Sequence, residues 1–92
     1  SLKGKGIEKI TCMSCIKPEY PKLALKRGYQ GILILKILIS KDGEVVDIKV
    51  IKSSGYKILD KSGIKAAKNS KFHPLKQERS INIEYNLKLN RW

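Results

Sequence analysis

The sequence predicts an α+β domain: a three-stranded antiparallel sheet packed on one main helix, preceded by a short N-terminal helix. Three stretches carry this expectation. Residues 31–39, Gly-Ile-Leu-Ile-Leu-Lys-Ile-Leu-Ile, form an apolar run broken only by Lys36 and bounded by Gly31 and by Ser40-Lys41-Asp42-Gly43. That is the composition of a buried strand, and it is far shorter than the about 20 apolar residues a membrane helix needs. Residues 81–89 alternate, with odd positions apolar and even positions polar, the signature of a strand with one buried face. Between them, Leu59, Gly63, Ile64, Ala66, Ala67 and Ser70 recur at helical spacing, opposite Lys57, Lys61, Lys65 and Lys68.

The chain has 92 residues, which bounds it to one small domain. A chain of this size buries only about 60–65% of the surface its unfolded form exposes, so it holds one modest core and no deep active-site cleft. The formal charge is +12, from 20 Lys and Arg against 8 Asp and Glu. A balance that basic raises nucleic acid, an anionic membrane or an acidic protein as partners. Arg, however, occurs only at Arg27, Arg79 and Arg91, and no aromatic residues are interleaved with the lysines as stacking platforms. A solvated lysine-rich surface therefore accounts for the charge better than a specific nucleic-acid site.

Residues 1–16 have no sustained period and are read as a flexible lead-in, with residues 17–92 as the folded domain. Nothing at the N-terminus resembles a signal peptide or a membrane helix, so the expectation is either a cytosolic protein or a piece whose targeting segment lies upstream. The lead-in contains the two cysteines as Cys12-Met13-Ser14-Cys15. Such a pair is a short-loop disulfide or idle thiols, a redox pair, or half a zinc site. For zinc the only other obvious ligand is His73, one short of the usual four, so no metal site is expected.

Lys17-Pro18-Glu19-Tyr20-Pro21 follows as a stiff elbow, because each proline fixes its own φ and keeps the preceding residue extended. Residues 21–28 then read as a short helix, with Pro21 in the first turn and Gly28 just past the end. Two turns are unstable alone, so Leu23, Leu25 or both are expected to dock on the sheet. After residues 31–39, a two-residue type I′ turn at Asp42-Gly43 would set opposite each other residues whose numbers add up to the same total. It pairs Ile39 with Val46, Ile37 with Ile48 and Leu35 with Val50 on an apolar face, and Lys36 with Lys49 and Leu38 with Asp47 on the other. A four-residue loop would keep the same faces.

Ser53-Ser54-Gly55 ends the second strand, and Asp60 is expected to N-cap a helix running to about Lys71. Gly63 costs that helix about 1 kcal/mol of propensity relative to Ala. Phe72-His73-Pro74 closes it, with Phe72 plugging the core and His73 a turn residue. The last strand follows, and Asn90-Arg91-Trp92 is read as a frayed end.

Catalysis is not expected. The three aspartates, Asp42, Asp47 and Asp60, are accounted for by a turn, a solvent face and a cap. There is no glycine-rich phosphate loop, no nucleophile motif with a partner His, and no cofactor signature. The molecule is expected to act by binding.

The ordered set Tyr20-Pro21, Gly31, Asp42-Gly43, Ser53-Ser54-Gly55-Tyr56, Leu59-Asp60, Phe72 with Pro74, and the last strand resembles the C-terminal domain of the TonB energy-transducing proteins. The resemblance covers about residues 17–89. It implies that the first strand is central, giving strand order 2-1-3 and leaving one edge of the last strand unpaired. It also implies a periplasmic domain tethered to the inner membrane by an N-terminal segment absent here, where inner-membrane proton-channel partners would act. Such domains capture the TonB box of outer-membrane transporters and couple the proton gradient to uptake of iron chelates such as siderophores, of cobalamin or of nickel complexes.

The implied partner-binding residues are Ser80, Ile81, Asn82, Ile83, Glu84, Tyr85, Asn86, Leu87 and Lys88 of the last strand, with the elbow residues Lys17, Tyr20, Pro21 and Lys22. The elbow resembles a Gln-Pro-x-Tyr-Pro segment of the family, with Lys17 and Lys22 nearest to its box-holding polar residues. Ser70 stands where the family often has Trp, and Gly63 where it usually has Ala, which implies a weaker helix contact. An extended peptide would add to the free edge by β-augmentation. The alternatives are a Tol-type or secretion-type envelope interaction, a basic nucleic-acid-binding module, or pairing of the same edge with a second copy as a homodimer.

Overall fold

The computed structural model describes residues 10–89. The expectations for residues 1–9 and for Asn90, Arg91 and Trp92 lie outside the described residues. The elements are β1 (Cys12–Ser14), α1 (Lys22–Arg27), β2 (Gly31–Ile39), β3 (Val45–Lys52), α2 (Lys57–Lys68), β4 (Lys71–Phe72) and β5 (Arg79–Leu87). β3, β2 and β5 form an antiparallel sheet in the order β3-β2-β5, so the apolar run is the central strand, and β1 pairs with β4 in a separate two-stranded sheet.

β2 is central because its odd residues supply one uninterrupted apolar face. Leu33, Leu35, Ile37 and Ile39 are fully buried, while Ile32, Ile34 and Leu38 on the other face are half-buried and Lys36 is exposed. α2 covers the buried face with Leu59, Gly63, Ala66 and Ala67. A Cβ on Gly63 would lie 2.2 Å from Leu33 Cδ2, so the residue expected to weaken the helix contact is what allows it. Phe72, Leu75 and Leu87 close the core.

The β2–β3 hairpin has the expected register from Leu35↔Val50 to Leu38↔Asp47, but not the expected turn. A type I′ turn needs positive φ at Asp42, and no non-glycine residue has it. Gly43 N donates to Ser40 O, Ser40 N donates to Glu44 O, and Gly43 takes φ +86°, which is a three-residue loop closed by a glycine bulge. An irregularity after Leu38 then sets Ile39 opposite Val45, and Val46, expected inside, is 54% exposed. Val50 faces Leu35 as expected but is also exposed, because β3 lies at the sheet edge.

Three further expectations are corrected. In α1 it is Ala24 that is fully buried, while Leu23 and Leu25 are exposed. At about 100° per residue the two leucines project to either side of Ala24, so turning Ala24 to the core leaves both in solvent. α2 starts one turn earlier than expected, with Tyr56 at the N-cap, and ends at Lys68. Asp60 lies inside its first turn and accepts hydrogen bonds from Ser53 Oγ at 2.5 Å, Ser54 Oγ at 2.6 Å and Ser54 N at 2.9 Å. It thereby ties the end of β3 to α2 instead of capping the helix.

The described part of the lead-in is not featureless. Cys12 pairs with Phe72 and Ser14 with Lys71, His73 N donates to Thr11 O, and Ile16 N donates to Ser70 Oγ. Cys12 and Cys15 are joined by a disulfide, with their Cα atoms 5.8 Å apart. Buried Ser70 also donates to Ala66 O, so it links α2 to the chain before the elbow.

Candidate partner-binding edge

A sheet in order β3-β2-β5 has two outer edges, and they differ. The β2–β3 register shifts between Ile34 and Leu35 and again between Leu38 and Ile39. Irregularities of this kind bend an edge and break its repeat, and Lys49 and Lys52 add charge to it. β5, in contrast, pairs with β2 in continuous register from Gly31↔Leu87 to Ile39↔Arg79. Among the described residues no strand pairs with its other side.

The direction of the β5 backbone groups follows from the hairpin. Ser40 N donates toward β3, and alternate residues of a strand point their N–H and C=O to opposite neighbours, so odd residues of β2 point to β5. Their partners are the odd residues of β5. The groups of Ser80, Asn82, Glu84 and Asn86 therefore point away from the sheet. Leu89 N, with the odd parity, donates to Gln30 Oε1 at 2.8 Å on the β2 side, in agreement. The side chains of these four even residues are exposed. Ile81, Ile83 and Tyr85 are half-buried against the core and Leu87 is buried. Burial pushes the Tyr85 phenol above its ordinary range.

The elbow is fixed to the end of β5 through one side chain. Tyr20 hydroxyl makes a short hydrogen bond to Tyr29 O and lies 3.3 Å from Leu87 O. Desolvation raises the pKa of its phenol, which keeps the donor proton in place. On the other side, Ser62 Oγ of α2 donates to Glu19 O. Of the elbow residues expected to act together, the structure thus brings Tyr20 to the end of β5. Lys17 lines a groove of about 230 Å³ with Glu19, Ser62 and Lys65, and Pro21 lines one of about 310 Å³ with Ile58 and Lys61, both on the α2 side. Lys22 is exposed at the start of α1.

Sequence reasoning missed a cavity of about 420 Å³ at the end of the sheet, lined by Ile32 of β2, Lys52 of β3 and Asn86 of β5 together with the flanking residues Gln30, Ser53 and Lys88. Gly31 was its one sequence signal: a Cβ there would lie 2.2 Å from Ser54 O, so the start of β2 meets the segment after β3 backbone to backbone. Tyr29 stacks on Tyr56 beside it, ring centroids 4.0 Å apart, and Arg27 donates to the Tyr29 hydroxyl at 3.3 Å. Among the described residues no three His, Cys, Asp or Glu side chains cluster as a metal site would require, and no helix is long and apolar enough to cross a membrane.

This arrangement has known counterparts. The family model described as Gram-negative bacterial TonB protein C-terminal matches residues 16–90. The chain is 36% identical over 78 residues to the protein tonB2 of Pseudomonas aeruginosa, an alignment covering 79% of this chain and 29% of that protein. It is 43% identical over 56 residues to the protein TonB of Neisseria gonorrhoeae, covering 61% of this chain and 20% of that protein. The chain therefore spans less than a third of either relative. Among solved structures, the Pseudomonas aeruginosa TonB CTD superposes with a TM-score of 0.82 at 23% identity, over 95% of this chain and 93% of that one, a likeness of fold. The Helicobacter pylori TonB-CTD superposes with a TM-score of 0.72 at 32% identity, over 80% and 71%. With the family match covering most of its length, the chain belongs to the Gram-negative bacterial TonB C-terminal family.

Proposed function

We propose that this domain captures an extended segment, the TonB box, of a TonB-dependent outer-membrane transporter by adding it as a fourth strand on the free edge of β5. The observation that carries the reading is the nine-residue β5 in unbroken register with β2, together with the outward backbone groups of Ser80, Asn82, Glu84 and Asn86. An added strand satisfies those groups, so main-chain hydrogen bonds supply affinity and neighbouring side chains tune selectivity. Tyr20 ties the elbow to the end of β5.

On this reading the domain works in the periplasm as the terminal part of an energy transducer, joined to the inner membrane and its proton-channel partners by a segment outside this sequence. Pulling on the captured segment would then admit iron chelates, cobalamin or nickel complexes through the transporter. Binding led by backbone contacts is on the order of micromolar or weaker, because the peptide loses chain entropy on docking. Weak binding suits a part that must let go. Self-pairing through the same edge is disfavoured, since each copy carries +12.

Titration of the labelled domain with a TonB-box peptide should shift amide signals at residues 80–88 and at Tyr20. No shift at saturating peptide, or shifts confined to Lys57, Lys61, Lys65 and Lys68, would overturn the reading. Retention on DNA that weakens steeply with salt, without any response to the peptide, would favour the basic nucleic-acid-binding alternative.

A further inference from the structure

The Cys12-Met13-Ser14-Cys15 motif takes no part in the capture edge, yet it occupies a connected position. Both cysteines are exposed, as is Met13 between them, and the disulfide encloses only two residues. So short a loop constrains the unfolded chain little compared with a long one, so the bond is not a staple for the whole domain. What it constrains is local. Cys12 is fixed opposite Phe72, Thr11 O accepts from His73 N at 3.0 Å, and Ile16 N donates to Ser70 Oγ at 3.0 Å. The pairing of β1 with β4 is irregular between Cys12 and Ser14, so the covalent bond supplies order that the short ladder does not.

The chain runs from Cys15 through Ile16 directly into the elbow, where Glu19 O is held by Ser62 and the Tyr20 hydroxyl reaches Leu87 O. β4 in turn holds the hairpin tip, with Phe72 N donating to Gly43 O and Lys71 Nζ lying 2.7 Å from Glu44 Oε2. The disulfide therefore sits where the strap β1–β4 passes into the segment that positions Tyr20.

We propose that the Cys12–Cys15 disulfide is a thiol–disulfide exchange site for a dithiol reductant, and that its opening loosens the elbow and weakens capture at β5. The regulatory half of this proposal rests on the capture reading above. A thiolate of the reductant attacks one Sγ, breaking the Cys12–Cys15 bond and forming a mixed disulfide, and the other cysteine leaves as a thiolate. The second thiol of the reductant then displaces the first cysteine. Two electrons and two protons pass to the domain, which ends with two thiols, and the reductant leaves as its own disulfide. Solvent access to both cysteines opens either Sγ to attack.

The test compares the oxidised domain, the domain in millimolar dithiothreitol, and a C12S/C15S double variant. Two readouts are taken: hydrogen exchange of individual amides, and affinity for a TonB-box peptide followed at residues 80–88. Reduction should go to completion in the folded protein and speed exchange of the Ile16 and His73 amides by about tenfold or more, leaving β2 and β5 amides unchanged, as expected for local opening. Peptide affinity should fall by about three- to tenfold with the elbow loosened, and the double variant should match the reduced form and ignore dithiothreitol. A disulfide that resists dithiothreitol, equal protection of Ile16 and His73 in the two states, or equal peptide affinity would each overturn the proposal. If the oxidised domain binds no peptide at all, the capture reading is what fails. The loosening is then judged on the Ile16, His73 and Tyr20 amides of the peptide-free domain, where unchanged exchange rejects it.

Discussion

The hydroxyl of Tyr20 lies 3.3 Å from the main-chain carbonyl of Leu87, joining residues 67 positions apart in the chain. The same hydroxyl meets Tyr29 O, so one side chain holds together the elbow, the link between α1 and β2, and the end of β5. Leu87 is the last residue of β5, and its carbonyl, at an odd position, faces β2.

Tyr20→Phe keeps the ring and removes the donor to Tyr29 O, while Leu87 O, facing Gly31 across the β2–β5 ladder, loses only a second, longer contact. A loss of this kind costs about 1–3 kcal/mol. The urea midpoint should fall accordingly, and peptide affinity should fall by more than it does for Lys22→Ala, which touches only an exposed residue of α1. Equal affinity losses would detach Tyr20 from the edge.

Proline scanning separates the two sides of β5. At Asn86 proline removes an N–H that points outward, so the domain should stay folded while capture is lost more completely than with Lys88→Ala. At Ile83, whose N–H points to β2, proline breaks a ladder bond and should unfold or severely destabilise the domain, by about 3 kcal/mol or more. Circular dichroism melts and a peptide titration on the same samples read both outcomes. Comparable binding by the Asn86→Pro and Lys88→Ala variants would mean that charge, not the backbone edge, does the work.

Asp60 sets a pH dependence. Burial pushes its carboxyl up, but the hydrogen bonds from Ser53 Oγ, Ser54 Oγ and Ser54 N outweigh this and hold it below the usual aspartate range. A folded-state pKa below the unfolded value of about 3.9 means that the stabilisation is fully present above that value and is lost as pH falls through the folded pKa. Urea unfolding of the wild type should therefore lose stability on acidification below about pH 4 more steeply than Asp60→Asn does. Parallel pH profiles for the two proteins would contradict the assignment.

Gly63→Ala pits two effects against each other. Alanine gains about 1 kcal/mol of helix propensity, but its Cβ would stand 2.2 Å from the buried Leu33 Cδ2 and 3.3 Å from Tyr85 Cδ2. Overpacking of a filled core costs about 1–3 kcal/mol, so the melting temperature should drop. A rise would show that Leu33 can turn aside at little cost.

The sequence by itself determined the central strand, the last strand, the main helix and four consecutive pairs of the hairpin register. These elements depend on the two-residue period of a strand and the 3.6-residue period of a helix, which Leu33, Leu35 and Ile37 or Ala66 and Ala67 display without reference to the rest of the chain. Tertiary structure decided the remainder. β1 and β4 are three and two residues long, too short to carry a period, and they meet only because α2 and the hairpin bring Cys12 to Phe72 and Ser14 to Lys71 from distant parts of the chain. Whether Ala24 or its leucine neighbours dock, whether Val45 or Val46 faces inward, and whether Asp60 caps a helix or ties a strand to it depend on how closely neighbouring elements approach. The free edge of β5 is of the same kind: alternation marks residues 81–87 as a strand, but that one side stays unpaired is a property of the assembled sheet, where β2 is already filled on both sides and no other strand remains among the described residues to cover it.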